Sequence, residues 1–258
     1  MNTVIYDGSF EGLLTAIFDV YEYRLKDACL TKYKDHQKNI FGNDHFTVTD
    51  PIKSARVWQG LQQRISQKAQ GQVYKTYLSE IKRIENTILS YVQYVFRCAT
   101  SVEYDYSDPS VLMVAETANK VAREKHRMEA FVRFQLTKDQ LYYATVQPDY
   151  NVLPLIIKHF QKRYADQKWM IYDVQRRYGI FYDLSTTEFV EMIFNPETEN
   201  GKNIGPCIAE EETLYQQLWQ QYFSSVNIAA RRNMNLHIRH MPKRYWKFLI
   251  EKRPVTDK

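Results

Sequence analysis

The sequence predicts an α+β fold that is mainly helical, with a small antiparallel sheet packed by helices. Three observations lead to this prediction. Glycine and proline are scarce, at eight residues each among 258, which favours long helices over a turn-rich all-β fold. Apolar residues recur at helical spacing through most of the first half of the chain. Between about residues 131 and 184 alternating segments flank a helical one, which indicates a ββ-α-ββ core.

The N-terminal region, residues 1–100, is expected to contain one strand followed by helices. The strand is the β-prone segment TVIY at residues 3–6, and a helix is expected after it because Ser9 is a good N-cap. A further helix is expected after Asp50, a capping residue followed by proline. Residues 74–99 carry apolar side chains three and four positions apart, which predicts one long amphipathic helix.

The second region, residues 101–258, is expected to be an α+β domain with a basic C-terminal tail, or to be continuous with the first. Its first helix is predicted to run from Pro109 toward His126. The four strands of the core are predicted at residues 131–136, 141–146, 169–173 and 178–182. After a loop at residues 195–206, a further helix is expected to bury Leu214 and Leu218.

Cysteine content and hydropathy exclude several classes of protein. Cys29, Cys98 and Cys207 are far apart and form no CxxC or zinc-type spacing, so neither a disulfide framework nor an iron–sulfur site is expected, and no cofactor is predicted. No apolar segment approaches the roughly 20 residues of a membrane span. Asp7 and Glu11 stand where a signal peptide would need an apolar run. The chain is therefore predicted to be cytoplasmic and without a membrane partner.

The net charge of +5 is unevenly placed along the chain. Residues 228–253 hold eight Lys or Arg and one acidic residue, Glu251, so the rest of the chain is slightly acidic. A local basic patch favours a defined anionic partner over a general attraction to polyanions.

Basic and aromatic residues are interleaved in the central block and again in the tail. Arginine binds phosphate bidentately and stacks on bases, while aromatic rings are sequence-tolerant stacking platforms. The alternative is that the rings belong to the core and the cations are solvated. The residues predicted to bind nucleic acid are Arg127, Arg133, Arg163, Trp169, Arg176, Arg177, Arg231, Arg232, Lys243, Arg244 and Trp246.

The candidates for acid–base catalysis are His126, His159 and Asp173, because an imidazole near a carboxylate carries protons at neutral pH. The sequence cannot show that the three meet, and a histidine among arginines is more often a hydrogen-bonding group. His237 and His240 lack a third ligand at a fixed spacing, so no metal site is predicted. The common hydrolase and nucleotide-binding motifs, HExxH, GxSxG, GxGxxG and the Walker lysine, are absent.

Several strings in the chain are distinctive when taken together: VIYDGSFEGLLTAIFDVYE, EKHRMEAFVRF, QPDYNVLPLIIKHFQKRYADQKWMIYDVQR and ARRNMNLHIRHMPKRYWKFLIE. On these strings the chain resembles a bacterial family of DNA-metabolism or DNA-repair proteins that contain a domain of unknown function. The resemblance implies a role in DNA repair beside a radical-SAM protein, which would carry the iron–sulfur cluster. A related domain is fused to uracil-DNA glycosylase-type proteins. The resemblance carries over no catalytic residue.

Three hypotheses follow from the sequence. The first is a nucleic-acid-binding accessory protein of DNA repair, in which cations hold the phosphate backbone and rings hold an exposed base. The second is an enzyme acting on a nucleotide or DNA base through its histidines and Asp173. The third is an interaction module whose basic face docks an acidic protein. The first requires cations that are remote along the chain to share one surface.

Overall fold

The structure, a computed structural model, describes residues 2–37, 43–191, 209–225 and 234–252. It divides into two compact units, Met1–Ala122 and Arg123–Lys258. The boundary falls inside the helix Pro109–Phe131, so one continuous helix contributes to both units. Each unit has its own sheet.

The first unit is built on three parallel strands, β1 (Asn2–Tyr6), β2 (Ala28–Lys32) and β3 (Asn43–Phe46), with β1 in the centre. Helix α1 (Phe10–Glu22) connects β1 to β2, as parallel pairing requires a crossover. The predicted first strand and the N-cap at Ser9 are confirmed, since Ser9 Oγ accepts a hydrogen bond of 2.8 Å from the Gly12 amide. Strands β2 and β3 come in addition to the predicted first strand.

Four further helices follow β3: α2 (Pro51–Gln62), α3 (Gln67–Leu78), α4 (Ile84–Arg97) and α5 (Pro109–Phe131). The long helix predicted over residues 74–99 is wrong, because the chain leaves the helix between α3 and α4. Glu80 and Arg83 there adopt left-handed backbone, with φ of 52° and 65°. Neither residue is a glycine, so the break carries no sequence signal.

The second unit contains a five-stranded mixed sheet. Its strands, in spatial order, are β4 (Gln135–Leu136), β5 (Tyr142–Val146), β6 (Trp169–Asp173), β7 (Tyr178–Tyr182) and β8 (Thr187–Glu191). The predicted antiparallel sheet is wrong at its centre, where β5 and β6 are parallel; the other pairs are antiparallel. Helix α6 (Leu153–Arg163) carries the chain back to the end at which β5 started, so β6 runs in the same direction.

Helix α6 lies on the sheet face that carries Trp169 and Ile180. Phe160 of α6 packs against Trp169, which stacks on Tyr182 with 5.3 Å between ring centroids. All five residues of β6 are buried, as expected for a central strand.

The C-terminal part of the second unit is helical. Its described residues form α7 (Glu210–Ser225), α8 (Met234–His240) and two 3₁₀ turns, Lys243–Phe248 and Ile250–Lys252. Leu214 and Leu218 of α7 are 57% and 51% exposed, so the buried stripe predicted for them is wrong. The predicted loop at residues 195–206 lies outside the described residues. Across the described residues, every helix is too short or too polar to traverse a bilayer.

Candidate functional site

The second unit contains a pocket of about 520 Å³ that combines aromatic rings with two arginines. Its volume lies in the usual range of about 300–1,000 Å³ for ligand sites. We call it the aromatic–arginine pocket and define it by its lining residues, which are Val132, Arg133, Phe134, Tyr142, Arg163, Tyr164, Gln167, Glu212, Tyr215, Gln216, Trp219 and Ile250. Two residues of the predicted nucleic-acid-binding set, Arg133 and Arg163, therefore lie on one pocket.

A buried carboxylate positions one side of this pocket. Glu251 has a side chain that is 1% exposed. It accepts hydrogen bonds from Arg133 Nη2 at 2.9 Å and from Trp219 Nε1 at 3.1 Å. Although burial raises the pKa of Glu251, the bonds from Arg133 and Trp219 bring it below its ordinary value. A single anion thus fixes a guanidinium beside an indole, with Arg133 Cζ 6.0 Å from the Trp219 ring centroid.

The opposite wall carries Arg163 and Tyr164. Arg163 is exposed, and its Nε donates to Tyr164 Oη at 3.3 Å. No carboxylate among the described residues pairs with Arg163, so its positive charge is available to an anion. Phe134 and Tyr164 meet edge to face at 5.2 Å. The pocket lining therefore combines aromatic rings, which can stack on a ligand, with the positive charge of Arg163.

The pocket also contains a hydrogen-bonding set of one carboxylate and two side-chain amides, those of Glu212, Gln167 and Gln216. Glu212 is buried and accepts from the Leu136 amide at 3.1 Å and from Gln216 Nε2 at 3.2 Å. Each carboxylate oxygen has further acceptor capacity, and the Gln167 and Gln216 amides both donate and accept. Acidic and amide side chains of this kind read base edges in known complexes.

Two more of the predicted arginines, Arg127 and Arg244, are held by an internal carboxylate. The Glu124 side chain is 1% exposed. It lies 3.0 Å from Arg244 Nη2 and 3.4 Å from Arg127 Nη1, and it accepts from the Tyr245 hydroxyl at 2.5 Å and the Asp149 amide at 2.9 Å. Arg244 also pairs with the Asp149 carboxylate at 2.6 Å. Through Arg244, Tyr245 and Asp149 this Glu124 network joins helix α5 to the loop after β5 and to the C-terminal turns, whereas Arg127 pairs with Glu124 within α5.

Arg176 fastens together the carboxyl ends of the parallel strands β5 and β6. Its Nη1 donates to Asp173 Oδ2 at 2.9 Å and to the Pro148 carbonyl at 3.1 Å, and its Nη2 donates to the Asp149 carbonyl at 3.2 Å. Burial raises the pKa of Asp173 despite the nearby guanidinium. Arg177 is exposed at the tip of the β6–β7 hairpin, in left-handed backbone with φ of 59°.

The three predicted catalytic residues do not form one cluster. His126 Nδ1 and His159 Nδ1 lie 3.9 and 3.8 Å from the Glu129 carboxylate. Asp173 is fully buried and bonded to Arg176 and to the amides of its own turn. In the described part of the chain, no hydrogen bond or ion pair joins Asp173 to either histidine, so the structure gathers the histidines around Glu129 and leaves Asp173 elsewhere.

The remaining predicted binding residues have different environments. Trp169 is 0% exposed and belongs to the core. Lys243 is exposed, whereas Trp246 is half-buried and donates from its indole to the Met241 carbonyl at 3.0 Å. Arg231 and Arg232 lie outside the described residues, as does Cys207. Among the side chains that the structure describes, no group of three or more His, Cys, Asp or Glu is placed to hold a metal ion.

The sequence did not indicate most of the rings of the pocket, nor that the Glu212 and Glu251 carboxylates bond to side chains that line it. Tyr215 and Trp219 are four residues apart on α7, a spacing that places them on one helix face and could have indicated a shared surface. Glu251 stood out only as the single acid in the basic tail, and nothing in its neighbourhood links it to Arg133, 118 positions earlier.

A comparison with known protein families gives a match over much of the chain. A search of curated proteins finds no match. A family described as a domain of unknown function, DUF4130, matches residues 82–251, which covers the aromatic–arginine pocket and the Glu124 network. Because the match extends over more than half of the sequence, the chain belongs to the DUF4130 family.

Proposed function

We propose that this protein binds nucleic acid and receives an unpaired base in the aromatic–arginine pocket. The observation that supports the proposal is the joint placement of Arg133, Arg163 and Trp219 on one pocket of about 520 Å³. Stacking of a base on an exposed ring contributes about 1–3 kcal/mol, and a guanidinium at the rim meets the adjoining phosphate.

Most of the other predicted arginines that the structure describes form ion pairs with carboxylates of the protein, which leaves this pocket as the proposed binding site. Arg127, Arg133, Arg176 and Arg244 are each paired with an internal carboxylate, so they offer less charge to a polyanion than their number suggests. Arg163 keeps its charge and stands beside the rings. The contact with nucleic acid is therefore local, and it engages one base with its flanking phosphates.

The proposal also includes a role in DNA metabolism and a partner protein. The sequence resemblance to DNA-repair proteins supports a role as an accessory protein in DNA metabolism. It also supports a radical-SAM protein as the partner that performs the chemistry. Co-expression of the two proteins followed by affinity purification tests the partner, and failure to recover a stoichiometric complex would remove that part.

The binding itself is tested by fluorescence anisotropy with a labelled single-stranded oligonucleotide. Trp219→Ala is expected to weaken binding about tenfold, since one stacked ring is lost. Arg163→Glu is expected to weaken it by a similar factor and to reduce the dependence on salt. The matched controls are Leu218→Ala on the same helix as Trp219, and Lys158→Glu on the same helix as Arg163. Both control side chains lie outside the pocket lining.

Equal losses in the pocket variants and their controls would contradict the assignment of the site. If the wild-type protein does not bind the oligonucleotide, the proposal of nucleic-acid binding is wrong.

A further inference from the structure

The first unit contains a larger cavity, of about 1,230 Å³, that the proposed function does not use. It lies against the edge strand β2 and the start of α4. We call it the sheet-edge cavity, and its lining residues are Thr3, Ala28–Lys32, Lys34–Gln37, Glu80–Arg83, Glu85 and Asn86.

Polar residues of one sheet face form part of this cavity. Thr3 and Cys29 are paired in the β1–β2 register, and Thr31 follows on the same side of β2. Leu30 and Val4 point to the other face, where they join the core beneath α1. Parallel sheets are normally covered by apolar packing on both faces. The second face is mixed, because Ile5, which pairs with Thr31, is 1% exposed on it. The small polar side chains Thr3, Cys29 and Thr31 line the cavity and suit a polar ligand.

A buried ion pair stands where the cavity meets the carboxyl end of β2. Lys32 Nζ lies 3.2 Å from Glu85 Oε1, and the two side chains are only 10% and 7% exposed. The Tyr6 hydroxyl donates to the same oxygen at 3.4 Å. Ligands of parallel sheets bind outside the carboxyl ends of the strands. Both side chains line the cavity, so this part of its wall is polar.

The charges around the cavity favour an anion. Lys32, Lys34, Lys82 and Arg83 face three carboxylates, those of Asp35, Glu80 and Glu85. Lys32 pairs with Glu85, and the lining as a whole holds one more cation than carboxylate. Lys34, Lys82 and Arg83 are exposed and come from two separate segments of the chain. Cations that approach from both sides are suited to the oxygens of a phosphate group.

We propose that the sheet-edge cavity binds a small phosphate-bearing molecule. The lysines and Arg83 hold the phosphate, while the Thr3, Thr31 and Asn86 region accepts the polar remainder of the ligand. Asn86 is already bonded through its amide to the backbone of Leu30, so this wall of the cavity is fixed before the ligand enters. The site is independent of the aromatic–arginine pocket in the other unit.

Cys29 provides a direct readout, because it lines the cavity as a free, half-buried thiol. The full-length protein is alkylated with iodoacetamide in the presence of ADP or of inorganic pyrophosphate, and modified peptides are counted by mass spectrometry. Both probes are expected to slow modification of Cys29. Cys98 is the internal control, since it is also a free thiol of the first unit and does not line the cavity.

Charge-reversal variants test whether the protection of Cys29 by ADP depends on Lys34 and Arg83. Lys34→Glu and Arg83→Glu are each expected to weaken protection by ADP about tenfold, the effect of one charge-assisted contact. Lys68→Glu, an exposed charge reversal on α3, is expected to leave it unchanged. Thermal unfolding of each variant establishes that it is folded.

Two outcomes would overturn the proposal. One is unchanged alkylation of Cys29 with both probes in the folded wild type. The other is protection by a single-stranded oligonucleotide but by neither small probe, which would make the cavity a nucleic-acid contact. Trp219→Ala separates the two sites, because it is expected to reduce oligonucleotide binding while ADP still protects Cys29.

Discussion

Replacement of Glu124 by glutamine tests whether the arginines of the Glu124 network stabilise the fold. The carboxylate is 1% exposed and forms ion pairs with Arg244 and Arg127. It also accepts hydrogen bonds from the Tyr245 hydroxyl and the Asp149 amide. Glutamine keeps the shape but removes the charge, and its amide nitrogen would face a donor. Loss of one partner from a buried ion pair typically costs about 3–5 kcal/mol, so we expect the free energy of unfolding to fall by about 3 kcal/mol.

Urea unfolding followed by tryptophan fluorescence measures this effect, since Trp169, Trp219 and Trp246 all lie in the second unit. Glu188→Gln is the matched control, because Glu188 is an exposed glutamate of the same unit, on β8. The variant Arg244→Met should lose a comparable amount, and the double variant less than the sum of the two losses. A loss below about 1 kcal/mol for Glu124→Gln would refute the reasoning, since it lies in the range of exposed ion pairs.

Two further predictions concern the first unit. A Cβ at Gly12 would lie 2.1 Å from Asp7 Oδ1 and 2.9 Å from Ser9 Oγ, so Gly12→Ala is expected to lower stability by about 1–3 kcal/mol. Gly71→Ala, where nothing lies within 4 Å, is expected to raise it by about 0.5–1 kcal/mol, and chemical denaturation compares the pair. Asp19 is buried, yet hydrogen bonds from Lys53, His45 and Thr47 outweigh burial and lower its pKa. Its stabilisation is therefore present above the unfolded pKa of about 3.9 and is lost as the pH falls through the lower folded value. The difference in unfolding free energy between wild type and Asp19→Asn should accordingly shrink below pH about 4, and a difference that grows on acidification would contradict the sign.

Local pattern predicted some elements of the second unit and missed others. The strand predicted at residues 131–136 is confined to β4, because α5 continues to Phe131, and β8 was not predicted. Strands β6 and β7 occupy the residues expected for them, because alternation and the turn at Gln175–Arg177 are both local signals. The direction in which β5 and β6 pair was not predictable in this way. The two strands meet only after α6 has returned the chain, and alternation with period 2 is the same in parallel and antiparallel strands. The left-handed backbone at Glu80 and Arg83 was invisible for a related reason, as neither residue type favours it.

The candidate site was predictable in part. Interleaved arginines and rings indicated the right region, and Arg133 and Arg163 do line one pocket. What failed was the assumption that such cations are free. Glu124 reads as one charge in the polar run AREKHRME, yet it is buried and meets Arg244 across 120 positions. Which residues form ion pairs over such separations depends on tertiary packing, so the pairs cannot be predicted from a single sequence.

The two hydrogen bonds between the Asn86 amide and the backbone of Leu30 have a consequence for assembly. They occupy an amide and a carbonyl in the middle of the outer border of β2, with separations of 2.7 and 3.3 Å. A strand from a neighbouring molecule would have to displace that side chain before it could align. Concentrated solutions should therefore resist growth by strand addition along this border, and Asn86→Ala would make the protein more prone to form such multimers.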